Sequence, residues 1–361
     1  MKILILLPHP IESPGPRFRI YQYLPYFKEA GIEYTVSPFL NSDEYIALYN
    51  NYSASLYKKS KALIRGSLRQ LSKMLYVKSY DAVIVYREAM LWGKPWIEKY
   101  ITKLGIPIIH DFDDAIWLPV KSQINMPMFI KRFLKSEKKF DEIMKLSNRI
   151  VVCNNYLAQH ANLLNKNTTI IPIVINTDHF KPVEKNKNTD KIVIGWVGSG
   201  STVKYLKLLD NIWRKLPPNC ELRIVGGQYF PDGIKVTNIK WTLAAELSEF
   251  SMLDIGITPM LDDDWAKGKG GGKTLQYMAM SIPTIGSAVG INTEIIQDGV
   301  NGFLAKDEKE WIEKLTLLIE NPELRQRLGR AGRKTVEERY SLKVWAPRYV
   351  EIIKKVVELR S

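Results

Sequence analysis

Glycine and lysine are concentrated in one short stretch within residues 262–303, just before an apolar segment. Its seven successive residues are Lys267, Gly268, Lys269, Gly270, Gly271, Gly272 and Lys273. The next residues, Thr274–Met280, predict a helix, and Pro283 ends it because proline disfavours a helical residue before it. Backbone N–H groups and the dipole at such a helix N-terminus attract anions, and three lysines indicate an anion with more than one charge. A mobile basic surface loop is the alternative interpretation.

The length of 361 residues predicts two domains, and 45% hydrophobic with 25% charged residues is typical of a soluble globular protein. The sequence contains no apolar run of the roughly 18 residues that cross a bilayer. The N-terminal run MKILILL is too short for a signal peptide and predicts a buried strand. Cys153 and Cys220 predict core thiols in a reducing cytosol, and together with the histidines they show no metal-ligand spacing.

The net charge of +14 indicates an anionic partner, for which nucleic acid, an anionic membrane and a phosphorylated substrate are candidates. Two segments, Ser53–Val77 and Met126–Leu146, predict amphipathic helices with many basic residues, including those from Lys58 to Lys73 and from Lys131 to Lys139. In the first segment the residues near one helical face are Leu56, Ile64, Leu68, Leu71 and Leu75. Such helices lie on an anionic membrane, or they bury the apolar face in the domain core and leave the lysines in water.

Apolar runs that predict strands alternate with helical segments, which indicates α/β domains with parallel, doubly wound sheets. The predicted strands are Lys2–Leu7, Tyr34–Pro38, Ala82–Tyr86, Pro107–His110, Arg149–Val152, Thr169–Ile173, Ile192–Val197, Leu222–Val225, Ile255–Pro259 and Thr284–Ser287. Residues 176–191 are polar and lack periodicity, so a domain linker is predicted there.

Four segments of the second half resemble the donor half of glycosyltransferase family 4: WVGSGSTVKYL, LRIVGG, LDIGITPM and GKGGGKTLQYMAMSIPTIGSAVGINTEIIQDGVNGFLA. The first half agrees, because DAVIVYREA and IIHDFDDAIW follow the first strand and the Gly15 loop in the family's order. The resemblance covers nearly the whole chain, and Lys273–Phe303 is its most specific part. It implies the GT-B architecture, in which two Rossmann-like doubly wound domains face each other across a cleft. The implied domains are residues 1–180 and 181–342, with a C-terminal helix at about 343–361 that packs on the first.

The resemblance implies a retaining enzyme that moves a sugar from a nucleotide-diphosphate sugar to a saccharide or lipid-linked acceptor in cell-surface glycan synthesis. It places the enzyme in the cytoplasm or on the inner face of the membrane, and neither a cofactor nor a metal is expected. The leaving diphosphate would be stabilised by backbone N–H groups and lysines. The implied donor-binding residues are Gly15, Arg17, Gly198, Ser199, Gly200, Lys204, Lys269, Gly270, Gly271, Gly272, Lys273, Thr274 and Gln276.

The chain departs from the family pattern at three positions. The arginine that usually follows the turn glycine is Ser199 here. The family often carries Glu-x7-Glu across the glycine loop and helix, where the second glutamate holds the ribose and the first contacts the sugar. Those positions are Gln276 and Gly268 in this sequence. The carboxylates at 262–264 or backbone N–H groups of the loop are the alternatives for contacting the sugar.

The candidate residues of the first half lie at the ends of predicted strands. The resemblance implies catalytic roles for His110 and Asp111, with His110 contacting the transferred sugar or the phosphate. Arg19, Arg87 and Asp113 are expected to bind the acceptor. Structural alternatives stay open for three of these residues. His110 could be held by the backbone, Asp113 could cap a helix, and Arg87 could form an ion pair with its neighbour Glu88.

Other classes of protein remain as alternatives. A sugar-nucleotide epimerase or a phosphorylase shares the architecture. A dinucleotide oxidoreductase is disfavoured because Gly198-Ser199-Gly200 lacks the third glycine of the fingerprint. A nucleic-acid-binding protein would explain the charge, but the basic residues are spread over helices without the motifs of such modules, so no nucleic acid is expected.

Overall fold

The computed structural model describes residues 1–49, 55–118, 138–183, 191–200, 202–358 and 360. The chain divides into two compact units. The first unit contains Met1–Ile173 together with Trp345–Ser361, and the second contains Val174–Val344. The chain therefore leaves the first unit after residue 173 and returns to it with its C-terminal helix. Within the predicted linker, residues 184–190 lie outside the described part of the chain.

The first unit is built on a parallel sheet with the strand order β2-β1-β3-β4-β5-β6. Its strands are β1 (Lys2–Leu7), β2 (Glu33–Pro38), β3 (Ala82–Tyr86), β4 (Ile108–Phe112), β5 (Arg149–Val152) and β6 (Thr168–Ile170). Its helices are α1 (Pro14–Arg19), α2 (Leu24–Glu29), α3 (Ser42–Tyr49), α4 (Leu56–Met74), α5 (Trp96–Lys103), α6 (Lys139–Leu146) and α7 (Asn155–Leu164), with the last helix of the chain, Leu342–Glu358, running into this unit.

The second unit has a parallel sheet with the strand order β12-β11-β10-β7-β8-β9. Its strands are β7 (Ile192–Val197), β8 (Cys220–Val225), β9 (Lys235–Ile239), β10 (Ile255–Thr258), β11 (Thr284–Ser287) and β12 (Phe303–Ala305). Its helices are α8 (Glu246–Ser251), α9 (Asp264–Lys267), α10 (Gly272–Ala279), α11 (Asn292–Ile295), α12 (Glu308–Glu320) and α13 (Pro322–Arg339), and the helix that leads back to the first unit is α14 (Leu342–Glu358).

The predicted doubly wound α/β architecture is confirmed for both units. The central strands are almost completely buried, as expected for a parallel sheet covered on both faces. The sequence patterns did not predict β9 and β12, which are the two outer strands of the second sheet. β9 reads KVTNI and is partly exposed along its length, so it lacks the continuous apolar run that marks a central strand.

Each sheet has one point where the strand order reverses. In the first unit it lies between β1 and β3, and in the second between β7 and β10. Loops that leave the carboxyl ends of two such strands diverge and form a crevice, which is where ligands bind in open α/β sheets. The fold therefore singles out the loops after β1 and β3, and those after β7 and β10.

Tyr277 fixes α10 on the second sheet. A Cβ atom at Gly256 of β10 would lie 2.5 Å from the Tyr277 ring, so glycine permits the helix to approach the strand closely. The Tyr277 hydroxyl also accepts a hydrogen bond of 2.8 Å from the backbone N–H of Val197, the last residue of β7. These contacts tie the helix that follows the glycine-lysine stretch to both strands at the switch point.

Candidate active site

Both glycine stretches lie at the switch point of the second sheet. Gly198, Ser199 and Gly200 follow β7 directly, and Gly270–Gly272 end the loop that leaves β10. A Cβ atom at Gly226, after β8, would lie only 2.1 Å from the carbonyl oxygen of Gly198. Gly226 has a φ of +88°, so it provides both the left-handed backbone and the space that this contact requires. The turn after β7 is thereby held in place.

The N-terminus of α10 has the features of an anion site. Gly271 is its N-cap residue, with a left-handed φ of 72°, and a Cβ atom there would lie 2.4 Å from Ile295 Cδ1. The first turn contains no acidic side chain. Because the first N–H groups of a helix have no partner within the helix, they are available to a ligand. Gly270–Lys273 are partly exposed.

Lysine side chains lie near both glycine stretches of the second unit. Lys273 Nζ donates to Gln276 Oε1 at 3.1 Å, on the first turn of α10. The Lys269 ammonium lies over the Trp265 ring, 4.5 Å from its centroid. Lys204 is exposed in the 3-10 helix after the first glycine stretch. This edge therefore combines helix N–H groups with lysine ammonium groups.

The three aspartates that precede the glycine loop contact their own neighbours. Asp263 caps α9 by accepting a hydrogen bond of 2.7 Å from the N–H of Ala266. Asp262 and Asp264 lie 3.4 Å and 3.9 Å from the Lys267 ammonium. Capping gives Asp263 a structural role, whereas Asp262 and Asp264 remain largely exposed.

Thr274 was predicted to bind the donor, but its side chain is buried and serves the internal structure of the second unit. Its hydroxyl lies 2.9 Å from Asn292 Oδ1. The amide of Asn292 in turn donates to the carbonyl oxygens of Thr258 and Ser287, at 3.3 Å and 3.2 Å. Thr274 therefore ties the start of α10 to the ends of β10 and β11, and only its backbone N–H group remains for the predicted role.

The structure places a carboxylate beside Gln276 that sequence reasoning missed. Gln276 is fully buried, and its Nε2 lies 3.4 Å from Oε1 of Glu246, at the start of α8. The Glu246 carboxylate is also buried and accepts a hydrogen bond from Trp241 Nε1 at 3.3 Å. Glu246 lies outside every recognisable motif, so no signal in the sequence connects it to Gln276. A carboxyl group from a neighbouring helix therefore lies beside position 276.

At the switch point of the first sheet, polar side chains form what we call the strand-end cluster: Tyr86, Arg87, His110, Asp113 and Asp114. The Arg87 guanidinium donates to Asp113 Oδ1 from Nη2 at 2.7 Å and from Nε at 3.1 Å, and it also pairs with Asp114. The Tyr86 hydroxyl donates to the same Asp113 oxygen at 2.6 Å. Two of the predicted acceptor-binding residues, Arg87 and Asp113, are thus directly bonded to each other.

Gly15 and Arg17 belong to α1, which follows β1 at the same switch point. A Cβ atom at Gly15 would lie 2.1 Å from the Tyr86 hydroxyl oxygen and 3.4 Å from Asp113 Oδ2. Glycine is therefore required at position 15 for α1 to approach the cluster. Arg17, predicted to reach the donor, is partly exposed on the same short helix.

The charge state of the cluster follows from its contacts. Burial alone would raise the pKa of Asp113, but the Arg87 charge and the Tyr86 hydrogen bond outweigh it and hold that pKa below the ordinary value. Arg87 has a left-handed φ of 57°, which is uncommon for a residue other than glycine. Its N–H donates to the carbonyl of Asp111 at 2.8 Å, which holds the residue at the strand end. Asp113 is therefore an ionised carboxylate matched to a fixed guanidinium.

His110 lies in β4 with no exposed atom. Its Nε2 is 2.8 Å from the carbonyl oxygen of Arg87, and because a carbonyl only accepts, Nε2 must carry the proton. Burial lowers the pKa of His110 to about 4, so the ring is neutral at pH 7. Nδ1 is then an acceptor, and it has no hydrogen-bond partner among the described residues. His110 is thus a neutral base with one unused lone pair behind the cluster.

Arg19 and Asp111 correct the sequence-based expectation, because their side chains bond to each other inside the first unit. Arg19 Nε and Nη2 each donate to one Asp111 oxygen at 2.8 Å, and neither side chain is exposed. Nη1 donates to the carbonyl oxygens of Ile171 and Pro172, and the Tyr349 hydroxyl donates to Asp111 Oδ2 at 2.8 Å. A buried bidentate pair with these further partners favours a structural role over the predicted acceptor-binding and catalytic roles.

His9 is a candidate that sequence reasoning did not select. It follows β1 and lies beside the stacked rings of Tyr45 and Tyr49, with centroids 5.4 Å and 5.3 Å away. The Tyr49 hydroxyl is 3.2 Å from His9 Nε2. Burial, followed by the nearby Arg87 charge, lowers the pKa of His9 to about 3. A second neutral histidine therefore flanks the same switch point.

The basic segment predicted at Met126–Leu146 is described only in part. Lys131, Arg132 and Lys135 lie outside the described residues. Lys139, which was expected to face a membrane, is instead buried; it forms an ion pair of 2.8 Å with Glu88 and donates to the carbonyl of Met90. The expectation is wrong for Lys139, because a carboxylate and a carbonyl hold it inside the unit.

The described residues contain no group of three or more His, Cys, Asp or Glu side chains positioned to hold a metal ion. Within the same residues, no helix combines the length and the apolar character needed to span a bilayer.

Comparison with known proteins agrees with this fold. Residues 178–335 match the family described as "Glycosyl transferases group 1", a range that includes both glycine stretches and α10. Trehalose synthase of Thermococcus litoralis is 31% identical over 135 residues, which are 37% of this chain and 31% of that protein. The match therefore spans about a third of the length of that relative.

Among solved structures, sucrose-phosphate synthase from Thermosynechococcus elongatus superposes with a TM-score of 0.69 at 15% identity, covering 99% of this chain and 100% of that one. Alr3699/HepE of Anabaena, solved in complex with UDP-glucose, gives a TM-score of 0.67 at 15% identity, covering 98% and 100%. The chain therefore has the GT-B fold of glycosyltransferases, and residues 178–335 are similar to the glycosyl transferases group 1 family.

Proposed function

We propose that the protein acts as a glycosyltransferase that moves a sugar from a nucleotide-diphosphate sugar to a saccharide or lipid-linked saccharide, in the synthesis of a cell-surface glycan. One observation carries the proposal: the group 1 match over residues 178–335 coincides with the two glycine stretches at the switch point of the second sheet. A diphosphate fits this edge because it presents helix N–H groups and lysines without an acidic side chain in the first turn of α10.

The proposed chemistry follows from the movement of charge. Breaking the bond between the anomeric carbon and the diphosphate oxygen leaves positive charge on the sugar and negative charge on the diphosphate. The N–H groups of Gly270–Gly272, with Lys273 and Lys269, stabilise that negative charge in a preorganised site. Lys204 and the Gly198–Gly200 turn approach it from the end of β7. Lysines and N–H groups supply this stabilisation directly, so we propose that the reaction requires no metal.

Gln276 has a positioning role in this proposal. Its Oε1 accepts a hydrogen bond from Lys273 and its Nε2 points to Glu246, so both ends of the amide are engaged within the unit. We propose that Gln276 and Glu246 hold the Lys273 ammonium beside the helix N-terminus, where it meets the diphosphate. The chain thereby keeps the position of the family's ribose contact but uses it to orient a cation.

The acceptor is assigned to the strand-end cluster of the first unit. Its Arg87–Asp113 pair presents donors and acceptors of opposite charge, which suits hydroxyl groups of a saccharide. The neutral His110 ring is buried in this structure, and we propose that its unused Nδ1 becomes accessible to the transferred sugar when the substrates bind. The acceptor proton passes to the leaving diphosphate in a retaining reaction, so no carboxylate nucleophile is needed. His110→Ala should therefore lower turnover far more than it lowers the affinity for nucleoside diphosphate.

A panel of UDP-, GDP-, ADP- and TDP-sugars tests the proposal by thermal shift and by slow donor hydrolysis. UDP-glucose comes first in the panel, because Alr3699/HepE was solved in complex with it. One nucleotide should raise the melting temperature, and its sugar should be hydrolysed or transferred in the presence of EDTA. A lack of stabilisation by any nucleotide would contradict the donor site, and activity that EDTA abolishes and Mg²⁺ or Mn²⁺ restores would contradict metal independence.

The same panel separates the alternative enzymes of this architecture. An epimerase would convert the sugar nucleotide without any acceptor and without releasing nucleoside diphosphate. A phosphorylase would require inorganic phosphate for turnover. A salt-sensitive gel shift with duplex DNA or RNA would indicate a nucleic-acid-binding protein instead.

A further inference from the structure

Helix α4 packs on the first unit through a face of small and polar side chains. Its buried residues are Ala62, Gly66, Gln70 and Met74. A Cβ atom at Gly66 would lie 2.5 Å from the Phe39 ring, and Gln70 Nε2 donates to the carbonyl of Ser37 at 2.9 Å. The glycine contact and the buried amide determine which side of α4 faces the core.

The large apolar residues of α4 lie on the opposite side. At 100° per residue, they form one stripe that points away from the buried face. The side chains of this apolar stripe are exposed by 72% at Tyr57, 62% at Ile64, 62% at Leu68, 51% at Leu71 and 78% at Leu75. The alternative that the predicted apolar face is buried in the domain core is therefore wrong for Ile64, Leu68, Leu71 and Leu75, and Leu56 is exposed as well. Five large apolar side chains on one helix face form a contiguous patch of the kind that marks an interaction surface.

The charge around the stripe has one sign. No acidic residue occurs between Glu44 and Asp81, whereas seven basic residues do: Lys58, Lys59, Lys61, Arg65, Arg69, Lys73 and Lys78. Arg69 turns inward, to Glu44 and to the carbonyl oxygens of Pro38 and Phe39. Lys58, Lys61 and Arg65 are exposed along one edge of the stripe. The surface is therefore apolar in the middle and basic at the side.

We infer that the apolar stripe of α4 inserts into the surface of an anionic lipid bilayer. A helix with an apolar face and basic flanks lies in the interface plane, where its leucines reach the acyl region and its lysines meet anionic headgroups. A second copy of the chain fits less well, because a twofold contact is isologous and would bring the two basic flanks together. The inference is independent of the proposed reaction.

The expected contributions are large enough to measure. Each basic residue close to an anionic surface strengthens binding about fivefold, and the effect weakens as salt rises. Removing an inserted leucine side chain should weaken binding roughly tenfold. Binding should therefore require both the apolar stripe and the basic edge.

Co-sedimentation of the full chain with vesicles tests the inference. Wild type should pellet with 30% phosphatidylglycerol vesicles at low salt and should remain in the supernatant with pure phosphatidylcholine. Leu68→Ser with Leu75→Ser should reduce pelleting at least tenfold, and Lys58→Ala with Lys61→Ala and Arg65→Ala should do the same. Matched controls in the first unit are the exposed Leu163→Ser and the exposed set Lys28→Ala, Lys103→Ala and Lys166→Ala, which should bind as wild type does.

A probe of insertion separates a bilayer from other occupants. Both natural cysteines are buried, so Leu71→Cys can be labelled with an environment-sensitive fluorophore at one site. Anionic vesicles should shift its emission to the blue, and a label at Leu163→Cys should not respond. No shift, or pelleting that the leucine pair leaves unchanged, would overturn the inference. So would a dimer in light scattering that the leucine pair dissociates, because the stripe would then belong to a second copy.

Discussion

Both sheets are parallel, and each has one reversal of strand order, but the loops at the two switch points carry different chemistry. In the first unit, the Asp113 carboxylate at the strand ends forms an ion pair with the Arg87 guanidinium. In the second unit, the corresponding edge presents the N-terminus of α10 and lysine ammonium groups, with no acidic side chain in the first turn. The paired edge is close to neutral, whereas the glycine edge is positive.

In the proposed function, the loops and not the sheets distinguish the two halves of the reaction. Both edges are built by parallel strands with the same reversal of order. A neutral edge with fixed donors and acceptors suits the hydroxyl groups of a saccharide, and a positive edge of N–H groups suits a diphosphate. Four predictions test this contrast, and they follow in order of decreasing expected effect.

The largest effect is expected at the buried pair of the first unit. Arg19→Met leaves the Asp111 carboxylate buried with only the Tyr349 hydroxyl as a side-chain partner, which should lower the free energy of unfolding by about 3–5 kcal/mol. Urea denaturation measures the loss, and Arg327→Met, exposed on α13, is the control that should change little. If Arg19→Met does not fold, the double variant with Asp111→Leu should recover stability. Normal stability with lost activity would return Arg19 to the acceptor site.

Lys273→Ala should weaken the binding of nucleoside diphosphate without unfolding the protein. Losing one charge-assisted hydrogen bond beside the α10 N-terminus should cost about 1.5–3 kcal/mol of binding free energy. Isothermal titration calorimetry with the nucleotide that the panel identifies measures the change. Lys309→Ala, on the exposed side of α12 in the same unit, is the matched control. Equal affinity in Lys273→Ala and wild type would remove the diphosphate from this edge.

Gln276→Glu restores the family's glutamate, yet it should destabilise this chain. The new carboxylate would lie beside Glu246, and two adjacent buried carboxylates repel each other when both are ionised. The free energy of unfolding should therefore fall by about 1–3 kcal/mol. Exchanging both residues, Gln276→Glu with Glu246→Gln, should recover most of the loss. Thermal and urea unfolding of the two single variants and the exchange form a double-mutant cycle. Additive effects would show that the two side chains do not interact.

The pH dependence of stability tests the neutral histidines of the first unit. An unfolded histidine has a pKa near 6.5, whereas burial lowers that of His110 to about 4. Between these values the unfolded chain binds a proton that the folded chain does not, so the free energy of unfolding falls as pH falls through this window. His110→Gln should reduce that slope by up to about 1.4 kcal/mol per pH unit, while His9 continues to contribute. An unchanged slope would mean that His110 is not buried in its neutral form.

Local patterns were sufficient to predict much of the fold and part of the site. The strands Lys2–Leu7, Ala82–Tyr86 and Ile192–Val197 were predicted with the ends that the structure gives, because a strand buried on both faces is a continuous apolar run. The glycine-lysine stretch indicated a helix N-terminus, and α10 begins at Gly272, within it. The carboxyl ends of adjacent parallel strands lie at one edge of a sheet, so Arg87 after β3 and Asp113 after β4 were expected at the same edge, as the structure has them.

Side-chain pairs between distant residues could not be predicted in this way. Arg19 and Asp111 are 92 positions apart, and Glu246 and Gln276 are 30 apart, so no short spacing connects them. Arg19, Asp111 and Gln276 each had a predicted role in a binding or catalytic site, whereas Glu246 had none. Only the packing of the unit shows that these polar groups satisfy each other in the interior, where an unpaired charge would be costly.

In helix α4, the sequence predicted an amphipathic helix, but only the tertiary structure shows which face is buried. The sequence by itself determined the strands, the glycine turns, the positive charge and the existence of an amphipathic helix, because each depends on residue type and on periods of two or 3.6. It did not determine which face of that helix is inside. The close approach of Gly66 to Phe39 and the hydrogen bond from Gln70 to Ser37 turn the small face to the core and the leucines to solvent. A periodic pattern shows that a helix has an apolar face, whereas only the packing shows whether the domain core covers that face.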